Sequence, residues 1–139
     1  MNIAVASGKG GTGKTTIATN LAFLISRIVK NIQYLDCDVE EPNGHLFLNP
    51  ELTKIEKITL PVPEINISKC TGCGLCVKIC QYKAIAIIAD KVLVFEELCH
   101  GCGGCKEGCP EKAITETGRE IGVIESGGVK KIKFIHGKL

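Results

Sequence analysis

Two runs of four cysteines constrain this chain of 139 residues more than any other feature of its sequence. The runs comprise Cys70, Cys73, Cys76 and Cys80, and then Cys99, Cys102, Cys105 and Cys109. Both have the spacing C-x2-C-x2-C-x3-C, and the second repeats the first at an offset of 29 residues, as from Cys70 to Cys99. The tripeptide Lys-Ala-Ile follows the fourth cysteine at the same distance in both copies. The chain therefore contains a duplicated unit organised around thiol groups.

This spacing predicts two [4Fe–4S] clusters that share the cysteines of both runs. Three thiolates close together in sequence can bind three corners of one cluster, whereas the fourth cysteine of that run binds the other cluster. We expect the first cluster on Cys70, Cys73, Cys76 and Cys109, and the second on Cys99, Cys102, Cys105 and Cys80. Glycines between the cysteines allow the backbone to turn tightly around the sulfur atoms.

Zinc and disulfides are the alternative uses of so many cysteines. Zinc sites usually combine C-x2-C pairs that a longer loop separates. Disulfides are disfavoured because nine cysteines is an odd number, and because the N-terminus shows no basic leader. The ninth cysteine, Cys37, is expected to be a small, partly buried residue, with a redox or ligand role as the alternative. His100 is expected on the solvent side of the second cluster, and His45 and His136 show no partner in the sequence.

A glycine-rich loop near the N-terminus matches G-x-x-x-x-G-K-[ST] from Gly8 to Thr15. It lies between residues 1–6, predicted as a buried parallel strand, and residues 14–30, predicted as a helix with Arg27 and Lys30 in its last turn. In that context the backbone amides are expected to bind phosphate oxygens, and a glycine turn without a ligand is the alternative. The predicted nucleotide-binding residues are Gly8, Lys9, Gly10, Gly11, Thr12, Gly13, Lys14, Thr15 and Thr16. Lys14 is expected to reach the β- and γ-phosphates, and the Thr15 hydroxyl is expected to bind Mg²⁺.

The pattern along the chain predicts three segments. Residues 1–63 read as a P-loop half-domain, in which a strand over 32–35 precedes Asp36-Cys37-Asp38. A proline-containing loop and linker follows over 39–63, with one irregular helix or strand there as the alternative, and it ends at a boundary over 61–63. Residues 64–117 hold the cysteine repeat, with a hairpin over 85–95 that turns at Asp90-Lys91. Residues 118–139 read as a returning hairpin with strands over 121–124 and 129–135 and a turn over 126–128.

Composition excludes several classes of function. Aromatic residues make up 4% of the chain and Trp is absent, which argues against base stacking on exposed rings and gives a nucleic-acid role little support. The longest apolar run, 84–89, is far shorter than the about 18 residues of a membrane span. The formal net charge of +2 falls to about −2 once two clusters with their thiolates, each carrying about −2, are added. We therefore expect a cytoplasmic protein in a reducing compartment, with neither a membrane span nor a nucleic-acid partner.

The loop sequence K-G-G-x-G-K-T-T, from Lys9 to Thr16, resembles the deviant Walker A loop of the MinD/ParA/Mrp superfamily. This resemblance implies that Lys9 crosses to a nucleotide in a partner subunit, so that ATP is bound between the two halves of a homodimer. It also implies that an aspartate after the second strand orients the attacking water or the metal. Asp38 is the first candidate and Asp36 the second, and a helix cap or a surface acid is the alternative for both.

Residues 64–117 resemble the two-cluster bacterial ferredoxins, although Gln81 stands where that family has a proline and Pro110 keeps it. The whole chain resembles MinD-superfamily ATPases that carry an inserted ferredoxin domain. The resemblance implies an α/β P-loop NTPase-like fold with a partial parallel sheet and an inserted α+β ferredoxin-like domain. In those proteins a Walker B strand follows the returning hairpin. No such strand follows residue 118, so we expect an N-terminal half that ends before Walker B, and the resemblance leaves ATP hydrolysis open.

The sequence therefore favours an ATP-binding iron–sulfur protein that couples nucleotide binding to electron transfer or to cluster handling. The alternative is a simple low-potential electron carrier with a P-loop that does not hydrolyse ATP. A third hypothesis is an ATP-dependent carrier that donates clusters to apo-proteins. Cluster lability separates these hypotheses, because a carrier releases iron and sulfide readily. The redox or apo-protein partner is not identified by the sequence.

Protein prepared without oxygen should contain about eight iron and eight sulfide per chain, as two four-iron clusters require. Iron and acid-labile sulfide assays, with zinc measured in the same sample, check this content. Stoichiometric zinc in place of iron would contradict the prediction.

Overall fold

The chain divides into two compact units in a computed structural model that describes residues 1–89 and 91–139. Unit 1 comprises residues 1–58 and 122–139, and unit 2 comprises residues 59–121. The chain passes between the units inside two long strands, β2 (Glu51–Ile65) and β5 (Ile114–Val129). The segment 39–63, predicted as loop and linker with one irregular helix or strand as the alternative, contains a helix over Gly44–Leu48 and most of β2, so the alternative is observed. The division between the units, between residues 58 and 59, lies just before the predicted boundary over 61–63. Pro61 and Pro63 lie within β2, which is an edge strand of its sheet, where a missing amide donor is tolerated.

Unit 1 contains a mixed sheet and two helices. The elements are α1 (Lys14–Ile25), β1 (Ile32–Asp36), α2 (Gly44–Leu48) and β6 (Ile132–Lys138), with the adjoining parts of β2 and β5. The strand order is β1-β6-β5-β2; β1 pairs with β6 in parallel, and β6 pairs with β5 antiparallel. The predicted strand over 32–35 is confirmed, whereas the prediction of a parallel sheet is corrected to a mixed sheet.

The core of unit 1 centres on Phe134, which is completely buried and stacks on Tyr34 with ring centroids 5.5 Å apart. Helix α1 packs with small residues facing inward: Thr19 and Ala22 of the helix and Ser26, which caps its C-terminal end, are buried. The larger apolar side chains at helical spacing face solvent instead, and they include Ile17 and Leu24. Small side chains therefore form the contact face of the helix, which apolar periodicity alone does not identify.

Two predictions for the N-terminal region are wrong. Residues 1–6 form no strand, and Met1 and Ile3 are exposed. A strand is stabilised by packing of its side chains against neighbours, and these side chains bury little surface within unit 1. Helix α1 ends at Ile25, so Arg27 and Lys30 lie beyond the last turn in which they were predicted.

The returning hairpin turns later than predicted. Strand β5 continues to Val129, which pairs with Ile132 of β6, so the turn lies at Lys130-Lys131. The predicted turn residues, 126–128, belong to the strand. Gly127 is required there because a β-carbon at this position would overlap the backbone carbonyl of Glu51 in β2. The glycine at this position is therefore explained by the close approach of two strands and not by a turn.

Unit 2 contains two copies of a short motif with one helix each. Helices α3 (Leu75–Ile79) and α4 (Gly104–Glu107) begin at equivalent positions of the 29-residue repeat seen from Cys70 to Cys99. Between them β3 (Ile85–Ile88) and β4 (Lys91–Val94) form an antiparallel pair, and a 3-10 helix follows at Glu96–Leu98. The predicted hairpin is confirmed by the pairing of Ile88 with Lys91. Lys91, predicted as a turn residue, is instead the first residue of β4, and Asp90 of the predicted turn lies outside the described residues. Across residues 1–89 and 91–139, no helix combines the length and the apolar character that a membrane span needs.

Replacing Phe134 by Ala should lower the free energy of unfolding of unit 1 by about 3–5 kcal/mol, since a buried aromatic side chain is lost and a cavity remains. Phe47→Ala is the matched control, because Phe47 is 56% exposed. Urea denaturation followed by circular dichroism compares the two variants. Equal destabilisation by both substitutions would show that Phe134 does not lie at the centre of the core.

Candidate nucleotide and cluster sites

The glycine-rich loop leads directly into the first turn of α1. Gly11 and Gly13 have φ angles of 73° and 84°, a left-handed conformation that favours glycine. Gly13 precedes Lys14, the first helical residue, and no side chain caps the helix at this end. A β-carbon at Gly8, Gly10, Gly11 or Gly13 would have no atom within 4 Å, so the loop lines open space. Amides at an uncapped helix start are donors that a phosphate group can use.

Lys14 forms an ion pair with Asp38, the first predicted catalytic aspartate. Lys14 Nζ lies 2.9 Å from Asp38 Oδ2, and both side chains are more than one-third exposed. The hydrogen bond to Asp38 raises the pKa of the Lys14 ammonium, and the same bond lowers the pKa of the Asp38 carboxyl. The structure therefore joins the predicted phosphate-binding lysine to the predicted catalytic acid, although 24 residues separate them in the sequence.

Asp36, the second candidate, has a different environment. Its Oδ2 atom accepts a hydrogen bond of 2.8 Å from the amide of Gly44, and its Oδ1 atom accepts one of 3.2 Å from the amide of Asp38. A β-carbon at Gly44 would clash with Asp36 and with Tyr34. Asp36 therefore positions the turn that carries Asp38, whereas Asp38 itself faces the lysine.

The remaining loop residues are placed mainly by backbone contacts. The Lys9 carbonyl accepts hydrogen bonds from the Ser7 hydroxyl at 3.0 Å and from the Thr12 hydroxyl at 3.3 Å, and Lys9 is exposed. Within α1 the Thr15 carbonyl accepts a hydrogen bond of 2.8 Å from the Thr19 hydroxyl. Thr16 is exposed and accepts through its carbonyl from Asn20.

Two cavities in unit 2 are each lined by four cysteines. The first, of about 380 Å³, takes Cys70, Cys73, Cys76 and Cys109. The second, of about 430 Å³, takes Cys99, Cys102, Cys105 and Cys80. Each cavity thus combines three cysteines of one run with the fourth cysteine of the other. All of these cysteines are free thiols.

The repeat builds both cavities from the same local geometry. Gly72 and Gly101 have φ angles of 70° and 64°, and Gly74 and Gly103 have angles of 75° and 72°. The amide of Ala84 donates to Cys80 Sγ at 3.3 Å, and the amide of Ala113 donates to Cys109 Sγ at 3.4 Å. Burial raises the pKa of the thiols of Cys76 and Cys105, so metal binding there must displace protons.

Each cavity offers four thiol groups as possible ligands. Within residues 1–89 and 91–139, no group of three or more His, Cys, Asp or Glu side chains is arranged to hold one metal ion. Four thiols spread around each cavity instead match the ligand number and the ligand type of a [4Fe–4S] cluster.

Sequence reasoning missed three features of these sites. The ring of Tyr82 stacks on that of His100 at the second cavity, with centroids 3.9 Å apart and planes 20° apart. Lys106 Nζ lies 2.7 Å from Glu116 Oε2 at the same cavity. Cys37, expected to be partly buried, is exposed. Comparing the two copies of the repeat position by position is the sequence signal that singles out Tyr82 and His100.

A buried histidine lies apart from both sites, in unit 1. The side chain of His136 is completely buried, and its Nε2 atom lies 2.8 Å from Glu125 Oε2. Lys138 Nζ lies 2.7 Å from the same oxygen, and its hydrogen bond is the main cause of the lowered pKa of Glu125. His45 approaches His136 edge-on, with ring centroids 5.3 Å apart. Neither histidine has a partner that the sequence alone identifies.

The chain is similar to longer proteins from archaea and bacteria. An uncharacterised protein of Methanocaldococcus jannaschii is 46% identical over 86 residues, which are 61% of this chain and 30% of that protein. An uncharacterised ATP-binding protein of the same organism is 49% identical over 49 residues, covering 35% of this chain and 19% of that protein. An iron–sulfur cluster carrier protein of Bacillus subtilis is 49% identical over 37 residues, covering 27% and 10%. The chain thus matches less than a third of the length of each of these relatives.

A family profile covers almost the whole sequence. The profile of the CobQ/CobB/MinD/ParA nucleotide binding domain matches residues 3–137. The match includes the glycine-rich loop, the Lys14–Asp38 pair and both strands that lead into unit 2. The predicted membership of the MinD/ParA/Mrp superfamily is confirmed: the chain belongs to the CobQ/CobB/MinD/ParA nucleotide-binding domain family.

Proposed function

We propose that this protein binds Mg-ATP at residues 8–16 and two [4Fe–4S] clusters in the cysteine cavities, and that nucleotide binding is coupled to what the clusters do. The observation that carries the proposal is the composition of each cavity, with four free thiols drawn from both runs. Relatives named as ATP-binding and as iron–sulfur cluster carrier proteins support the pairing of the two cofactors in one family. Such chemistry requires a reducing compartment, and we place the protein in the cytoplasm.

Clusters that stay bound to the protein would suit electron transfer better than cluster donation. Each cavity is completed by a cysteine from the other run, so releasing one cluster would expose thiols of both runs. A bound [4Fe–4S] cluster supplies one-electron chemistry, and the backbone amides that donate to the cysteine sulfurs tune its potential. The second candidate function, donation of clusters to apo-proteins, is favoured by the names of the relatives that are iron–sulfur cluster carriers.

Nucleotide binding acts through the ion pair of Lys14 and Asp38. Phosphate oxygens compete with the Asp38 carboxylate for the Lys14 ammonium, which lies only 2.9 Å away. When Lys14 turns to the phosphates, Asp38 is released and becomes free to orient a water molecule or Mg²⁺. In this proposal Thr15 contributes its hydroxyl to Mg²⁺, and the exposed Lys9 reaches the nucleotide of a second copy of the chain in a homodimer.

Replacing Asp38 by Asn should strengthen ATP binding in the absence of Mg²⁺ by about two- to fivefold, because an exposed ion pair of this kind contributes little and its loss frees Lys14. Omitting Mg²⁺ removes any effect of Asp38 on the metal. Calorimetric titration measures the affinity. Glu40→Gln is the control, since Glu40 is an exposed acid near the same turn. Weaker binding by the Asp38 variant alone would contradict competition for Lys14.

Mg-ATP should change the rate at which an iron chelator removes iron from the loaded protein, whereas Mg-ADP should change it less. Replacing Lys14 by Ala should abolish the ATP effect and leave the iron content unchanged, because Lys14 lies in unit 1 and the cysteine cavities lie in unit 2. Identical rates with ATP, with ADP and without nucleotide would refute the coupling. Rapid transfer of iron and sulfide to an apo-ferredoxin would instead establish the cluster-donor function.

A further inference from the structure

The internal repeat allows the two cluster cavities to be compared position by position. With the offset that relates Cys70 to Cys99, Thr71 corresponds to His100, and Tyr82 corresponds to Glu111. Thr71 and Glu111 line the first cavity, and His100 and Tyr82 line the second. Equivalent positions of the repeat therefore carry an acid, Glu111, at the first cavity and two rings, Tyr82 and His100, at the second.

The first cavity carries an uncompensated carboxylate. Apart from the cysteines, Glu111 is the single ionisable side chain among the described residues that line it. A nearby negative charge disfavours the addition of an electron and so lowers the reduction potential of a cluster bound there. Glu111 is exposed, so solvent screening moderates this effect without removing it.

Aromatic rings line the second cavity, and the one acidic side chain among its described lining residues is paired with a lysine. Tyr82 and His100 stack with ring centroids 3.9 Å apart. Glu116 also lines this cavity, but Lys106 Nζ lies 2.7 Å from its carboxylate and offsets the negative charge. Electrostatics therefore makes the second site easier to reduce than the first.

Hydrogen bonds to sulfur act in the same direction. Cys80 and Cys109 each accept one amide hydrogen bond at equivalent positions, from Ala84 and Ala113. Cys99 of the second cavity also accepts one of 3.4 Å from the amide of Gly101. The equivalent bond to Cys70 is absent from the part of the chain that the structure describes. Additional donors stabilise the more negative reduced cluster and raise its potential.

Burial does not reverse this order. Apolar side chains outside the cysteine runs cover both cavities in similar number. They are Ile65, Val92, Pro110, Ala113 and Ile114 at the first, and Pro61, Pro63, Ala84 and Ile85 at the second. The difference between the two sites therefore arises from charge and hydrogen bonding.

We propose that the two clusters are electronically unequal, with Glu111 lowering the reduction potential of the cluster in the first cavity below that of the cluster beside Tyr82 and His100. This inference rests on the proposed binding of two clusters. Were both clusters bound, the one held in the second cavity would be the first to be reduced, by one electron from 2+ to 1+. Reduction of the one held beside Glu111 would require a lower potential, so Glu111 would favour residence of the electron at the second cavity.

A dithionite titration monitored by electron paramagnetic resonance tests the inference on the loaded full chain. The wild-type protein should show two one-electron midpoints. Glu111→Gln should raise the lower midpoint and leave the higher one unchanged. Tyr82→Glu places at the second cavity the acid that the first one carries, and it should lower the higher midpoint. A shift of the midpoint potential by about 59 mV changes the ratio of oxidised to reduced cluster tenfold at a fixed applied potential.

Glu64→Gln is the matched control, because Glu64 is an exposed acid of unit 2 that lines neither cavity. A single shared midpoint in the wild-type protein, or equal shifts in the Glu64 and Glu111 variants, would overturn the inference. An upward shift of the higher midpoint in the Glu111 variant would show that the assignment of the two cavities is reversed. Protein that binds no iron would refute the proposed function itself, and this result is distinct from two clusters of equal potential.

Discussion

The exchange of the fourth cysteine between the two runs is the constraint on which unit 2 depends. Cys109 lines the cavity of the first run, and Cys80 lines the cavity of the second. Neither run therefore forms a complete four-thiol site by itself. The apolar core of this unit is correspondingly small, and its buried members include the Ala84-Ile85 pair and its repeat, Ala113-Ile114. In a unit of this size, the proposed bonds between metal and thiolate would substitute for a large core.

In unit 1, the proposed anion-binding loop lies beside an acidic side chain, that of Asp38. The loop ends at an uncapped helix, and Asp36 fixes the turn that presents Asp38 to Lys14. The ion pair holds the Lys14 ammonium beside this turn in the absence of a ligand. In the proposed function, a phosphate group would replace the Asp38 carboxylate at Lys14, and Asp38 would then be released from its ion pair.

Local sequence signals predicted the elements whose contacts are local. The hairpin of β3 and β4 follows from alternation over a few residues, and the turns of the cysteine runs follow from glycines such as Gly74 and Gly103, which adopt positive φ angles. Residue types that occur in more than one structural setting led to the wrong predictions. Gly127 indicates a turn by its residue type but serves a close strand approach. Pro61 and Pro63 indicate a linker, yet an edge strand accepts them because no partner needs their amides on that side.

The sequence by itself determined the chemistry of this protein, because the spacing of the cysteines and of the glycine-rich loop specifies which atoms can bind metal and phosphate. The tertiary structure alone decided which groups meet. Lys14 and Asp38 lie 24 residues apart and form their pair only when β1 packs beside α1. Tyr82 and His100 stack because the two runs exchange their fourth cysteines. Such contacts depend on the packing of distant segments, which no local pattern of residues encodes.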